Sequence, residues 1–470
     1  MTVLRGHLTV ARDAQPMLVS GRVAALRGLT VLVDELPLPV GSTVSIRTGS
    51  GSGPGSSSGS VGVLGEIVGF TNDQAAVMLF GAAAGIRPGD RVEGRHPSPA
   101  APVGPAMLGR IVNALAEPID ESGPIPDTAM MPIDAPPIGA LRRERIDRAM
   151  TTGVRAIDLM TTLGRGQRLG IFAGPGVGKS TLLGSIARGT AADVNVIALI
   201  GERGREVREF VEHSLGSEGL RRSVVVVATG DEPPLMRIRA ARLACAIAEL
   251  FRDRGQDVML MMDSITRFAH AQRQVGLSVG EPPATKGYTP SVFAELPVLL
   301  ERAGPSTETG GSVTGLYTVL VEGDDMTEPV ADAARGILDG HVILSRSLAQ
   351  RNHFPAIDVL DSVSRVADQI IDDHHRTARN LIRQIMAAYA NVEELVQIGA
   401  YARGSDPDAD VGIAYRPRLV ELLTQGPSEA DDPAQSRDRL IRIAAEAGEH
   451  LRRLRAAQGP QSAAQHGEVA

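Results

Sequence analysis

Cysteine is almost absent from this chain. Its single copy, Cys245, excludes an intrachain disulfide and any cysteine-rich zinc or iron-sulfur centre, and its place in the apolar stretch Leu243–Leu250 reads as that of a small buried hydrophobe. Tryptophan is missing and aromatics make up 3% of the residues, too few for the base-stacking platforms that hold single-stranded nucleic acid. No apolar run approaches the roughly 18 residues of a membrane span. The segment Met1–His7 has neither a basic region followed by an apolar core nor a small-residue cleavage signal, so a soluble intracellular protein is expected. His270, His341 and His353 lack metal-ligand spacing, and the adjacent His374 and His375 point to different sides of a helix. With 48 basic against 55 acidic residues the net charge is −7, which gives no global argument for a polyanionic partner.

The 470 residues suffice for two or three domains with a large core. Residues 1–97 alternate short apolar runs (Val19–Val33, Val44–Arg47, Gly62–Phe70, Ala76–Phe80) with turn residues, predicting five or six short strands in a small β-barrel. Gly49–Ser60 is Gly and Ser apart from Pro54 and reads as a flexible loop inserted in that barrel. The Pro- and Ala-rich stretch Pro97–Pro105 marks a boundary, Leu108–Leu115 opens a new unit, and Met130–Arg143 reads as extended chain.

Over residues 98–366, strands are expected at Arg168–Ala173, Val194–Ile200, Ser223–Ala228, Val258–Met262 and Tyr317–Val321, with helices between many of them. Unalternating Val, Ile, Leu and Met runs indicate a mostly parallel sheet covered on both faces, an α/β fold. Residues 367–458 read as helical, with helices at Asp372–Tyr389, Val392–Ile398 and Arg437–Ala457, and residues 459–470 as a disordered tail.

The stretch that organises the chain is Gly174, Pro175, Gly176, Val177, Gly178, Lys179, Ser180 and Thr181, preceded by the strand Leu169–Ala173 and followed by a helix. This is the strand, glycine loop and helix of a phosphate-binding loop, in which backbone N–H groups turn inward where side chains would block them. Lys179 would reach the terminal phosphates of a nucleotide, Ser180 is the first candidate to hold Mg2+ through its hydroxyl, and Thr181 the second. Asp263 ends the apolar strand Val258–Met262, the place from which a carboxylate reaches the Mg2+ region of such a core.

Glu202 follows the strand Ile197–Ile200 across Gly201 and is the best candidate to orient an attacking water, although Glu202 or Glu206 could equally pair with a nearby arginine. Arg365 can be read as a charge-neutralising finger acting across a subunit boundary or as an ordinary surface charge. Phe354, beside Pro355, either stacks on an adenine or packs in the core. The proline-flanked segment Glu281–Pro290, with Lys286 at its middle, is either a loop that contacts something moving inside a ring or a rigid turn.

Thr152–Asp158, Gly174–Thr181, Asp193–Phe210, Val224–Thr229, Asp263–Phe268, Gly280–Pro283, Tyr317–Met326 and Gly336–His341 together resemble the rotary ATPases, the F1-type α and β subunits and their relatives. Within that family the chain is most similar to the ATPases of bacterial type III protein export, the flagellar form in particular, with the injectisome form as the alternative.

The resemblance implies a RecA-like core using ATP and Mg2+. On the matching positions Lys179 holds phosphate, Ser180 with Thr181 beside it holds the ion, and Glu202 is the catalytic carboxylate. Arg203 is a phosphate-proximal arginine, Asp263 the Walker B acid, and Arg267 lies close to the nucleotide. Arg365 is an arginine finger reaching a neighbour's site, and Phe354 occupies the adenine-stacking position. It further implies a homohexameric ring, a stator-like regulatory protein at the N-terminal domain and a coiled-coil stalk protein in the pore. An export gate, chaperones and cargo would face the C-terminal domain, with the chain cytoplasmic and peripheral at the inner membrane. An RNA-dependent ring helicase and a non-catalytic nucleotide-binding subunit are the competing classes; the acidic balance and scarce aromatics argue against the first, Glu202 and Arg365 against the second.

Overall fold

The computed structural model describes residues 19–48, 62–321, 323 and 325–458; the Gly49–Ser60 loop and the 459–470 tail expected from the sequence lie outside them. The first strands are β1 (Ser20–Arg27), β2 (Thr30–Asp34), β3 (Thr43–Arg47), β4 (Val63–Thr71), β5 (Gln74–Leu79) and β6 (Arg91–His96). They close into a barrel in the order β1-β2-β5-β4-β3-β6. Its interior is apolar: Val33, Val44, Ile46, Ile67, Val77 and Val92 are fully buried. Closure leaves no exposed sheet edge, which lets so short a stretch of chain hold a sheet.

Two short strands, β7 (Ala100–Val103) and β9 (Ala129–Pro132), pair antiparallel on the way out of the barrel. Between them β8 (Ile111–Asn113) joins the edge of the main sheet beside β12 (Ser223–Ala228). The remaining strands are β10 (Arg168–Ala173), β11 (Val194–Ile200), β13 (Asp257–Asp263), β14 (Gly304–Pro305), β15 (Ser312–Leu320), β16 (Gly340–Leu344) and β17 (Ile357–Ser364). The sheet order is β17-β16-β10-β15-β13-β11-β12-β8, with β14 on β15. Pairing is parallel except at β17 and β14, so the sheet is RecA-like and mixed. Every residue of β11 and β12 is buried, as strands covered on both faces require.

β15 begins five residues before the expected Tyr317. Ser312, Thr314 and Thr318 interrupt the apolar pattern, yet each is buried and bonded: Ser312 Oγ donates to Asp257 (2.8 Å), Thr314 Oγ1 accepts from the Gly166 N–H (2.8 Å), and Thr318 Oγ1 donates to Asp263 (2.7 Å).

The longer helices around the sheet are α1 (Lys179–Gly189), α2 (Pro234–Arg252), α3 (Ile265–Ser278), α4 (Pro290–Leu300) and α5 (Pro329–Ile337). Cys245 is buried in α2, as its apolar surroundings predicted. Barrel and core are joined through a buried ion pair, Arg239 of α2 to Glu66 of β4 at 2.7 Å, with the guanidinium over the Phe80 ring.

Three helices finish the chain: α6 (Asp373–Gln397), α7 (Pro407–Leu423) and α8 (Pro433–Gln458). The two helices expected at Asp372–Tyr389 and Val392–Ile398 are one, because no breaker separates them. α7 was not foreseen: Pro417 lies inside it. It stays because α6 and α7 touch closely; a Cβ on Gly412 would come within 2.4 Å of the Ile385 carbonyl. Among the described residues no helix is long and apolar enough to cross a membrane.

Candidate nucleotide site

Ligands of parallel sheets bind beyond the carboxyl ends of the strands, and here β10, β13 and β11 end together. The loop Gly174–Gly178 follows β10, with Gly176 and Gly178 left-handed at φ of 77° and 89°. Space beside Gly176 is open, with nothing within 4 Å of where a Cβ would stand. Among the described residues no side chain caps α1, so the first N–H groups of that helix are free to meet an anion. The helix starts at Lys179, because the left-handed Gly178 turns the chain directly into it.

Lys179 Nζ donates to Asp263 Oδ1 and, at 3.3 Å, to Glu202 Oε1. Burial works against the ammonium, but the two carboxylates outweigh it and hold Lys179 above its ordinary value. Burial pushes the Glu202 carboxyl up to about 7, with Lys179 opposing and Asp263 adding to the rise. Glu206 is held below the ordinary range chiefly by a hydrogen bond with Glu202, and its side chain also faces Arg203 at 3.4 Å. Geometry therefore separates the two acids: Glu202 stands against Lys179, Glu206 at the rim.

The other predicted residues are placed as follows. Ser180 and Thr181 are exposed at the start of α1, and Phe354 leans over the loop, its ring 3.5 Å from where a Gly178 Cβ would be. Arg267 packs along Gly201, whose φ of 71° and lack of Cβ make room for it. Arg203 is 82% exposed and faces Glu206 at the rim. Arg365 is not part of this cluster. Its N–H bonds the Asp339 carbonyl, and Asp339 in turn binds Arg168, the first residue of β10, so Arg365 sits a whole strand, about 20 Å, from the loop that follows Ala173. Lys286 lies in a hydrogen-bonded turn closed between Ala284 and Tyr288, exposed and 3.6 Å from Asp325.

Sequence reasoning missed Thr318, whose hydroxyl orients Asp263, and the segment Thr424–Asp431. That segment lies over α1, with Ser185 Oγ and Arg188 both donating to the Pro427 carbonyl and the Gln425 N–H bonding the Phe354 carbonyl. Neither carried a motif; only the folded chain brings them to the site. Among the described residues no group of three or more His, Cys, Asp or Glu could hold a metal alone. The hydroxyl of Ser180 and the carboxylate of Asp263 are instead the few hard oxygen donors suited to Mg2+ that shares its coordination with phosphates.

Comparison with known proteins gives a consistent picture. The family model described as ATP synthase alpha/beta family, nucleotide-binding domain, matches residues 153–364; T3SS EscN ATPase C-terminal domain matches 371–442; and ATP synthase alpha/beta family, beta-barrel domain, matches 54–95. A flagellum-specific ATP synthase of Pseudomonas aeruginosa is 47% identical over 93% of this chain and 95% of its own. A type 3 secretion system ATPase of Xanthomonas euvesicatoria is 54% identical over 77% of this chain and 81% of its own. The assembled ATPase EscN of enteropathogenic E. coli aligns with a TM-score of 0.82 at 40% identity, covering 90% of this chain and 100% of that one; EscN has also been solved in complex with its central stalk EscO.

Proposed function

Because this chain belongs to the flagellar and type III secretion ATPases of the ATP synthase α/β family, we propose that it hydrolyses MgATP at sites completed by a second copy and drives flagellar protein export. The observation that carries the reading is Lys179 held between Asp263 and Glu202 beside an open, uncapped glycine loop.

Incoming phosphates replace the carboxylates as partners of Lys179, and the loop and α1 N–H groups bind them. Ser180 and the freed Asp263 hold Mg2+, with Thr181 beside them; when bound, the ion neutralises phosphate charge. Glu202 orients water toward the terminal phosphate. Arg267 stands close to the nucleotide, and Arg203 turns inward at a closed interface. Phe354 stacks on the adenine. Arg365, too far from its own loop, serves the neighbouring copy as a finger.

We read the arrangement as a homohexameric ring; the solved complex of EscN with its central stalk EscO supports a stalk partner, which we take to be a coiled-coil protein in the pore. We assign the barrel to a stator-like regulator and the C-terminal helices to the export gate, chaperones and cargo, with the ring peripheral at the cytoplasmic face of the inner membrane. A flagellar role is favoured by the coverage of the Pseudomonas relative; the injectisome role is the second reading, favoured by the identity of the Xanthomonas one.

The test is Glu202→Gln: hydrolysis is expected to fall at least about 100-fold, the scale of a lost general base, while equilibrium nucleotide binding persists. Unchanged turnover would remove Glu202 from the mechanism.

A further inference from the structure

Arginines buried in this protein are, as a rule, matched by an acid. On α2, Arg239 pairs with Glu66 and Arg242 with Glu295, and Arg302 makes a bidentate pair with Glu249. Arg237 of the same helix breaks the rule. It is 9% exposed; among the described residues its Nε has no acceptor, and its side chain donates a hydrogen bond to the neutral Gln274 Oε1 at 2.8 Å. Arg267 is alike: its Nε is buried without an acceptor. Among the described residues neither guanidinium has an ion-pair partner.

The two are neighbours. Arg267 and Gln274 are seven residues apart on α3, hence on one face and separated by about 10 Å along the axis, and Gln274 is the residue Arg237 binds. Burial presses the Arg237 guanidinium below its ordinary value, and the charge of Arg267 presses it further, while Glu232 offsets part of this. Two neighbouring cations, one buried and one half-buried, with only the partial counter-charge of Glu232, are costly unless an anion visits them.

One end of this stripe touches the site: Arg267 packs on Gly201, next to Glu202. The other opens outward, for Arg237 lines a cleft of about 390 Å3 between the β1–β2 hairpin and the Asp231–Pro234 turn. We propose that Arg267 and Arg237 form a relay for a tetrahedral oxyanion, inorganic phosphate, by which the product of hydrolysis leaves through the cleft between barrel and core. The inference rests on the ATPase reading above and extends it from cleavage to release. Asp231 and Glu232, which also line the cleft, repel the anion once it has passed Arg237, so it is handed on rather than retained.

The experiment compares two clocks in a single turnover of the full chain with ATP. Acid quench reports bond cleavage, and a fluorescent phosphate-binding reporter the appearance of free phosphate. In Arg237→Gln cleavage is expected to keep its rate while phosphate release lags by about tenfold, the factor for one charged hydrogen bond; Arg237→Lys is expected to restore it. Should Arg237→Gln fail to fold, Gln274→Leu, which strips Arg237 of its acceptor, is expected to give a smaller lag of the same sign. Release that follows cleavage in the variant as it does in the native protein overturns the relay. Absence of cleavage in the native protein overturns the ATPase reading itself, and the relay with it.

Discussion

Glu202 joins two properties that a sequence cannot put together: in the proposed role it must be ionised to orient water, and its surroundings make ionisation difficult. Its carboxyl is raised to about 7 by burial, so in the free enzyme a substantial fraction is protonated at neutrality. The sign follows. The proposed mechanism requires the deprotonated form, so kcat/KM, which reports free-enzyme groups, is expected to rise with pH through about 7 and level off above it. A pH–rate profile flat across neutrality would detach catalysis from this carboxyl. The motif reading of Lys179, Asp263 and the glycine loop needed only local spacing. The choice of Glu202 over Glu206 did not: both follow the same strand, and distance from Lys179 separates them.

At the scale of elements, the junctions of strand with helix carry the site. Gly201 turns the chain from β11 toward Glu202 at φ 71°, and a Cβ there would stand 2.9 Å from the Arg267 Cβ. Gly201→Ala is expected to cost at least about 1–2 kcal/mol from the left-handed backbone and to lower activity further by displacing Arg267. Gly204→Ala, three residues on with nothing within 4 Å, is the control expected to be near neutral. Thermal unfolding and steady-state rates on both variants check this. Buried parallel strands such as β11 and β12 were legible because an apolar run needs no partner information. β16, β17 and α7 were not: half-buried or interrupted patterns such as that around Pro417 acquire meaning only when a neighbouring element covers them.

On the scale of the whole molecule, the decisive fact is that Arg365 lies at the opposite end of β10 from the glycine loop. On the proposed assignment, one copy therefore holds a loop without a finger and a finger without a loop. Arg365→Ala and Glu202→Gln are each expected to be inactive alone, whereas mixed rings should recover partial hydrolysis, because some interfaces then join an intact loop to an intact finger. Measuring activity against mixing ratio decides the matter; no recovery at any ratio would place Arg365 outside the site.

By itself the sequence determined the class of fold, the phosphate-binding loop and the family, because these rest on local rules: glycines that allow left-handed turns, apolar runs that must be buried, and a lysine directly after the loop. Only the tertiary structure decided that Glu202 and Asp263 both close on Lys179, that Thr318 aims Asp263, and that Arg237 is a buried cation with no ion-pair partner among the described residues. Those are statements about distance and burial between residues far apart in the chain, and no local pattern encodes them.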